Sequence, residues 1–313
     1  MSKDTNKPEA PKQSHGLKDV QIAVLASSLA YYTPTPPTEE SKAQSYDGYL
    51  RNIQELVGKE ELVGKEELVG KDIKVTPFYK TSGPLAGYVI ETEGEILISY
   101  RGTNLTPSSK AGRTEMLNNL RIKKSETKFQ SASSSDSESV FIHIGFKKEF
   151  ESSKDNLYEV LESCDKNKPL HLTGHSLGGA VAQIAALDLS LNKKKRINKV
   201  TTFGGAAVFG KRSSALYEKI GLSDKTARIV NSRDPIPKIV PMGYCHSGNE
   251  ITIAGDAKKR HAIKIYREIA HSKLTYTQLA EKHLTEEPEL PPKRSLQTLY
   301  KSIIMRMPKA KFV

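Results

Sequence analysis

The segment HLTGHSLGGAVAQIAALDL, residues 171–189, places three glycines around a single serine, Ser176. Glycine at this density indicates a backbone that bends sharply or that its neighbours approach closely. Residues 169–173 predict a short buried strand before the glycines, and residues 180–187 predict a helix after them. Between the two, residues 174–178 read GHSLG, the G-x-S-x-G pattern that is typical of a nucleophile elbow. Ser176 is therefore the candidate nucleophile of a hydrolase.

Strands and helices alternate along the chain on both sides of this segment. The alternation predicts an α/β fold, with a mostly parallel central sheet covered by helices on both faces. Residues 17–32 predict an amphipathic helix, and residues 123–139 predict a serine-rich loop. The other expected strands are residues 85–91, 96–100, 141–144, 199–203 and 227–231, and the other expected helices are residues 114–122 and 146–163.

The composition is that of a soluble globular protein, with 37% hydrophobic and 27% charged residues among 313. No run of about eighteen apolar residues occurs, so no membrane-spanning helix is expected. The polar amino terminus lacks the apolar core of a secretory signal peptide, so we expect a cytoplasmic protein or one exported without a cleavable signal. Cys164 and Cys245 are too few for a disulfide framework and indicate a reducing compartment, although they could still pair with each other.

Further motifs occur in the order that a known family shows. Residues 98–104 read ISYRGTN, residues 143–146 read HIGF, residues 201–210 read TTFGGAAVFG and residues 228–241 read RIVNSRDPIPKIVP. Together with GHSLGGA, this combination over residues 17–269 resembles the fungal-type, class 3 lipases. The resemblance implies the α/β-hydrolase fold, in which the nucleophile, the acid and the histidine follow one another along the chain.

A serine hydroxyl is a poor nucleophile until a histidine takes its proton, and that histidine needs an orienting carboxylate. Asp234 follows a predicted strand and stands between prolines, which suits a rigid carboxylate; an ordinary turn aspartate is the alternative. The histidines downstream of it are His246, His261, His271 and His283. The resemblance implies His261 as the base, because it precedes a short apolar helix and a tyrosine, with His246 and then His271 in reserve.

Ester hydrolysis passes through an oxyanion that needs two preorganised donors. We expect the backbone N–H of Leu177, directly after the nucleophile, to be one of them. The resemblance implies the N–H of Thr103 as the other, and its hydroxyl could add a third bond; a structural turn residue is the alternative. Residues 104–113, which follow, are polar where fungal relatives carry an apolar lid. A large jump in activity at a lipid interface is therefore not expected.

Three parts are expected along the chain: a disordered tail at residues 1–16, an α/β-hydrolase domain at residues 17–270 and a basic helical extension at residues 271–313. Inside the domain, residues 55–72 read ELVGKEELVGKEELVGKD, a hexad repeated three times. A six-residue step does not return to the same side of a helix, so the Leu-Val pairs form no single apolar stripe. The repeat predicts a low-complexity surface insert.

The net charge of +12 is concentrated at the carboxyl end, where residues 258–313 carry thirteen Lys and Arg against five Glu. Nucleic acid is not expected as a partner, because no zinc-finger spacing or RNP-type aromatic motif accompanies the charge. From Ser295 onward, apolar residues recur at three- and four-residue steps, which predicts an amphipathic helix. This helix either packs on the hydrolase core or makes peripheral contact with an anionic membrane.

These patterns predict a serine hydrolase that cleaves carboxylic esters of lipids, as a triacylglycerol lipase or a phospholipase, through an acyl-enzyme on Ser176. We expect it to need neither a cofactor nor a metal. The alternative is a non-catalytic, lipase-like module that binds lipid or a partner. A serine, an aspartate and a candidate histidine in the expected order favour the enzyme.

Overall fold

The computed structural model describes residues 17–31, 52–53, 73–103, 124–129, 138–234, 236–238, 240, 243–253, 263 and 266. The helices in this part of the chain are α1 (Leu17–Leu29), α2 (Ile144–Glu162), α3 (Leu177–Leu191) and α4 (Lys211–Lys219). The strands are β1 (Lys74–Tyr79), β2 (Leu85–Glu91), β3 (Ile96–Tyr100), β4 (Lys124–Phe129), β5 (Glu138–His143), β6 (Leu170–His175), β7 (Ile197–Phe203), β8 (Phe209–Gly210), β9 (Thr226–Asn231), β10 (Tyr244–Cys245) and β11 (Asn249–Ile253).

The main sheet has seven strands in the order β1-β2-β3-β6-β7-β9-β11. The five strands from β3 to β11 run parallel to one another, whereas β1 and β2 add an antiparallel edge. A second sheet, in the order β10-β8-β5-β4, is antiparallel throughout. The predicted α/β fold with a mostly parallel sheet is therefore confirmed.

Side chains that alternate along the strands bury both faces of the main sheet. In β3, Ile96 and Ile98 join a core cluster with α2 and α3, while Leu97 between them joins a cluster with α1. The two faces are packed by different helices, because successive residues of a strand point to opposite sides. Helices cover both faces, as the sequence pattern predicts.

Helix α1 is buried more completely than its sequence suggested. Every residue from 20 to 30 is buried, so the expected amphipathic pattern is wrong for this helix. Two polar groups of the helix are paired with the sheet: Ser27 Oγ lies 2.9 Å from Thr173 Oγ1, and the carbonyl of Ala26 accepts from Ser99 Oγ at 2.8 Å. Hydroxyl groups that satisfy one another can be buried as readily as apolar groups, which a hydropathy pattern does not reveal.

The predicted loop at residues 123–139 is wrong, because β4 occupies residues 124–129 and β5 begins at residue 138. β4 pairs with β5 in antiparallel register from Lys124 opposite His143 to Phe129 opposite Glu138. Its sequence, KSETKF, has little apolar character, so its strand conformation comes from pairing with β5 rather than from propensity. Five short elements, β1, β8, α4, β10 and β11, were also not expected.

Several expectations concern residues outside the described ranges: the tail at 1–16, the hexad repeat at 55–72, the helix at 114–122 and the extension at 271–313. Cys164 and Cys245 are described, and both are free thiols. Among the described helices, none combines the length and the apolar character that crossing a membrane requires.

A cluster of charged residues holds α1 at the amino ends of the parallel strands. Lys199 pairs with Asp19 of α1 and lies 3.8 Å from Glu95, and Glu95 lies 3.5 Å from Nδ1 of His171. Burial opposes ionisation of Glu95, but its hydrogen bond with His171 and the neighbouring positive charges outweigh this effect and lower its pKa. The carboxylate therefore stabilises the folded state.

Glu95→Gln should lower the free energy of unfolding at pH 7 by about 1–2 kcal/mol, because the variant loses the charge-assisted bonds. A depressed folded-state pKa contributes stability above the unfolded value of about 4.3, and this contribution is lost as the pH falls through the folded-state pKa. Urea denaturation of the two proteins should therefore show a difference in the free energy of unfolding that becomes smaller at acidic pH. Glu162→Gln, which removes an exposed pair with Lys166, is the control and should change little. A difference that persists at low pH would contradict the electrostatic account.

Candidate active site

Ser176 occupies a strained turn between β6 and α3. Its backbone has φ 56° and ψ −122°, a left-handed conformation that costs a residue with a side chain about 1–3 kcal/mol. The Ser176 N–H donates to the carbonyl of Phe203 on β7 at 2.9 Å. The Ser176 carbonyl accepts from Gly179 and Ala180 in the first turn of α3, at 3.1 and 3.3 Å. These bonds on both sides hold the serine in its turn.

The glycines around Ser176 provide space rather than a bend. A Cβ on Gly174 would lie 2.3 Å from the backbone carbon of Gly178, and a Cβ on Gly178 would lie 2.3 Å from the carbonyl oxygen of Tyr100. No real Cβ tolerates such distances. The left-handed backbone falls on the serine itself, while the glycines let β6, α3 and the end of β3 approach one another. Of the two roles that the sequence allowed for these glycines, close approach is therefore the one they perform.

The loop after β3 lies against this turn. A Cβ on Gly102 would lie 2.6 Å from the carbonyl oxygen of His175, so Gly102 contacts the residue just before the nucleophile. Thr103 follows it and is buried. Leu177 begins α3, where the first backbone N–H groups of a helix have no partner within the helix and the helix dipole is positive. The structure therefore brings the segment of Thr103 to the amino end of α3.

Asp234 lies three residues beyond β9 and is completely buried. Its Oδ1 accepts a hydrogen bond from the N–H of Ile236 at 2.9 Å, and its Oδ2 accepts one from the hydroxyl of Tyr266 at 3.1 Å. Its own N–H donates to the carbonyl of Asn231 at 2.9 Å. These contacts hold the carboxylate in one orientation.

Strand register places these groups along one edge of the sheet. Tyr100 of β3 is level with Gly174 of β6, and His175 of β6 is level with Phe203 of β7. Phe203 is in turn level with Ile229 of β9. Strand β7 separates the strand before Ser176 from the strand before Asp234, a distance of about 10 Å between their backbones. Ser176 and Asp234 therefore follow strands that lie two positions apart in the sheet.

Three of the described histidines are buried by contacts within the fold. His143 accepts a hydrogen bond from the Gly145 N–H at 3.2 Å, and its ring centre lies 4.4 Å from that of Phe146. His171 lies 2.8 Å from the Thr201 hydroxyl, and His175 lies 2.7 Å from the Tyr31 hydroxyl. Each of the three therefore has a structural role, and none of them was predicted from the sequence to be the base.

His246, a reserve candidate for the base, contacts the loop that carries Asp234. Its Nε2 lies 2.7 Å from the carbonyl oxygen of Pro237, and since a carbonyl only accepts, this nitrogen carries the proton. Burial, followed by the charge of Arg228, lowers the pKa of His246 to about 4. The Nε2 proton of His246 is therefore used in a hydrogen bond to the loop that carries Asp234. His261 and His271 lie outside the described residues.

Tyr266 is a site residue to which the sequence pattern assigned no role. Its hydroxyl donates to Asp234 and accepts from the N–H of Asn231 at 3.2 Å, and its ring lies 5.8 Å from that of His175. Burial and the negative charge of Asp234 raise the pKa of Tyr266, so the phenol remains a neutral donor. The available signal was its position in the motif that follows His261, since a buried tyrosine hydroxyl requires a partner.

Within the described ranges, no three His, Cys, Asp or Glu side chains come together as a group that could hold a metal ion.

Comparison with known proteins identifies the region that carries this site. The family model described as lipase (class 3) matches residues 97–244, from β3 to β10. The matched residues make up slightly less than half of the chain, and this part of the chain is similar to the class 3 lipases. The matched class 3 lipase region contains Thr103, Ser176, Leu177 and Asp234 and ends before His261.

Individual relatives agree with this assignment. A secreted mono- and diacylglycerol lipase of Malassezia restricta is 32% identical over 125 residues, which cover 37% of this chain and 40% of that protein. Phospholipase A1-Igamma2 of Arabidopsis thaliana, a chloroplastic protein, is 38% identical over 81 residues, which cover 24% of this chain and 15% of that protein. The chain spans less than half the length of the curated relatives that it matches first.

A solved structure extends the likeness in fold beyond the matched class 3 lipase region. The lipase from Rhizopus microsporus var. chinensis superposes with a TM-score of 0.53 at 20% identity, over 80% of this chain and 82% of that one. The α/β-hydrolase fold that the resemblance implied is confirmed.

Gly174→Ala should abolish the folded elbow, because its Cβ would overlap the backbone of Gly178 rather than a side chain that can move. Thermal unfolding should show a loss of about 3 kcal/mol or more. Gly94→Ala is the matched control, since a Cβ there meets nothing within 4 Å, and it should leave stability within about 0.5 kcal/mol of the parent. Equal stability of the two variants would show that the elbow can accommodate a methyl group that its geometry excludes.

Proposed function

We propose that this protein is a serine hydrolase that cleaves carboxylic esters of lipids through an acyl-enzyme on Ser176. The observation that carries the proposal is the left-handed Ser176 at the amino end of α3, on the sheet edge that also holds the Thr103 segment and the buried Asp234. A strained serine with this placement is the arrangement that presents a hydroxyl to a substrate. The names of the matched relatives support the same chemistry.

In this mechanism the Ser176 hydroxyl oxygen attacks the ester carbonyl carbon while a histidine takes its proton. The carbonyl oxygen becomes an oxyanion, which the N–H groups of Leu177 and Thr103 stabilise. Collapse of the tetrahedral intermediate breaks the bond to the alcohol, which leaves with the proton from the histidine. Water then attacks the acyl-enzyme by the same steps and releases the fatty acid. Asp234 orients the histidine and stabilises its charged form.

His261 is the base in this proposal, and Tyr266 supports the assignment. Tyr266 donates to Asp234 and packs with Ile263 in a core cluster that includes residues of α1, β7 and β9. His261 stands five residues before Tyr266, so the chain limits the distance between their Cα atoms to about 18 Å even when extended. The contact of Tyr266 with Asp234 therefore keeps the segment that carries His261 within reach of Asp234. His246 is less suitable, because its Nε2 proton is committed to Pro237.

The hydrolase domain is proposed to span residues 17–270, with the hexad repeat as an insert and residues 271–313 as an extension. Its two ends meet in one cluster, since Val20 and Val24 of α1 pack with Phe203 and Tyr266. A unit that ended soon after β10 would leave Asp234 without the hydroxyl of Tyr266. We therefore place the carboxyl boundary beyond Tyr266.

The substrate is proposed to be a lipid ester, with a phospholipid as the second candidate beside an acylglycerol. Both classes occur among the names of the matched relatives, as a mono- and diacylglycerol lipase and as a phospholipase A1. The polar residues 104–113 favour activity that rises smoothly with ester concentration. Mass spectrometry of the products released from mixed lipids would separate the two classes.

The wild-type protein should react with an active-site fluorophosphonate at Ser176 and hydrolyse a short-chain ester. Ser176→Ala should lose both, with a fall in kcat of about 10⁴-fold or more, while its thermal unfolding stays close to that of the parent. Labelling is measured by mass spectrometry of the intact protein. A wild-type protein that folds but neither labels nor hydrolyses would instead support the non-catalytic, lipase-like module.

His261→Ala should reduce kcat about as much as Ser176→Ala, because the nucleophile and its base act as one unit. His246→Ala serves as the matched comparison and should lower stability more than activity, since it releases the loop at Pro237. Loss of activity in His246→Ala or His271→Ala, with an active His261→Ala, would move the base to that residue.

The basic extension is proposed to hold the protein against an anionic membrane. From residue 290 to the end the sequence contains six basic residues and no acidic one: Lys293, Arg294, Lys301, Arg306, Lys309 and Lys311. Each contributes on the order of 1 kcal/mol near an anionic surface, and salt screens the attraction. The apolar stripe of the same segment would insert at the interface.

Binding to phosphatidylserine vesicles should weaken steeply as salt increases and disappear when residues 290–313 are deleted. The truncated protein should still hydrolyse a soluble ester. A full-length control in which Lys301, Arg306, Lys309 and Lys311 are replaced by glutamine keeps the apolar stripe and should lose most of the binding. Unchanged binding, or unfolding of the truncated protein, would assign the segment to the core instead.

A further inference from the structure

Helix α1 runs along the sheet from the edge opposite the site to the site itself. Near its start, Asp19 pairs with Lys199 in β7, at the amino ends of the parallel strands. Just beyond its end, Tyr31 reaches His175, the last residue of β6. Between these points, Ser27 and Ala26 are bonded to Thr173 and Ser99 of the sheet. The position of Tyr31 is therefore fixed by contacts along the whole helix.

The hydroxyl of Tyr31 lies where a side chain on Gly102 would be. A Cβ built on Gly102 would lie 2.1 Å from this oxygen and 2.6 Å from the carbonyl oxygen of His175. The same hydroxyl lies 2.7 Å from Nδ1 of His175. Burial raises the pKa of Tyr31 above its ordinary value, against the opposing charge of Arg101, so the group is a neutral phenol at physiological pH. Tyr31 and His175 together thus fill the space where a side chain on Gly102 would be.

We propose that Tyr31 is a positioning residue that holds the Gly102–Thr103 segment in place for catalysis. The inference rests on the proposed function, in which the Thr103 N–H faces the oxyanion. This N–H is the group that Tyr31 aligns. Such donors are effective when they are already oriented before charge develops on the substrate. Tyr31 acts through Gly102 and does not touch the reacting atoms.

The hydroxyl, rather than the ring, is the part that performs this role. It fills the space beside Gly102 and is joined to His175, whose backbone leads directly into Ser176. One oxygen therefore sets the spacing between the residue before the nucleophile and the residue before the oxyanion donor. Small displacements in such an arrangement change rates strongly, since about 1 Å of misplacement can cost 100-fold.

Tyr31→Phe removes this oxygen and keeps the ring. We expect kcat for a short-chain ester to fall about 10- to 100-fold with KM changed by less than about twofold, because the loss is confined to the transition state. The affinity for an alkyl boronic acid, which forms a tetrahedral adduct with the serine, should fall by a similar factor. A purely structural role for the tyrosine would lower thermal stability without this split between kcat and KM.

Tyr217→Phe is the matched control. Its hydroxyl is also buried and makes a side-chain hydrogen bond, to Thr226 at 2.8 Å, but it lies at the start of β9, away from the site edge. This variant should lose stability and keep the kcat and the boronate affinity of the parent.

The outcomes separate the two proposals. A wild-type protein that hydrolyses esters, together with a folded Tyr31→Phe variant of unchanged kcat and boronate affinity, overturns the positioning role and leaves the proposed function intact. Equal losses of kcat in Tyr31→Phe and Tyr217→Phe also overturn it. A wild-type protein that neither hydrolyses esters nor binds the boronic acid overturns both.

Discussion

The approach of backbone to backbone at Gly174 and Gly178 is the constraint on which the rest of the site depends. Atoms of the strand end, the helix start and the carbonyl of Tyr100 fill the space where glycine side chains would be. This packing forces the turn between β6 and α3 to be so tight that its central residue adopts a positive φ. The strain then falls on the serine, whose hydroxyl the turn presents. Backbone strain of this kind persists only where the surroundings over-determine it.

The same contact fixes the relation between β3 and the elbow. Because Gly178 touches Tyr100, the loop that continues through Gly102 to Thr103 starts from a set position beside α3. Tyr31, which also contacts Gly102, comes just after α1, and α1 precedes the sheet in sequence. Three segments that are far apart along the chain therefore determine one spacing. Hydroxyl groups pair across the α1 interface, so the helix has one preferred position on the sheet rather than a range of apolar alternatives.

The acid side of the site is organised differently, through hydrogen bonds rather than through close packing. Asp234 is removed from water, yet both of its oxygens accept bonds, from a backbone N–H and from a neutral phenol. A neutral donor satisfies the carboxylate without cancelling its charge, whereas a lysine or an arginine would form an ion pair with it. The negative charge thus remains available to a histidine that becomes positive during the proposed reaction. Tyr266 also contacts the ring of His175, which links the acid side to the elbow.

The sequence by itself determined the elements that have strong local signals. The glycine-rich turn with its serine, the long apolar strands and the order of motifs were sufficient to predict the fold class and the strand–turn–helix that carries Ser176, because these features depend on neighbours in the chain. It also placed Asp234 and Thr103 just past strand ends, and parallel strands bring their carboxyl ends to one edge. Only the tertiary structure decided that β4 is a strand, that α1 is buried from residue 20 to its end, and that Tyr31 and Tyr266 contact the candidate site. The physical reason is common to all four: each depends on a partner distant in sequence, and a polar residue that is satisfied by such a partner looks the same in the sequence as one exposed to water.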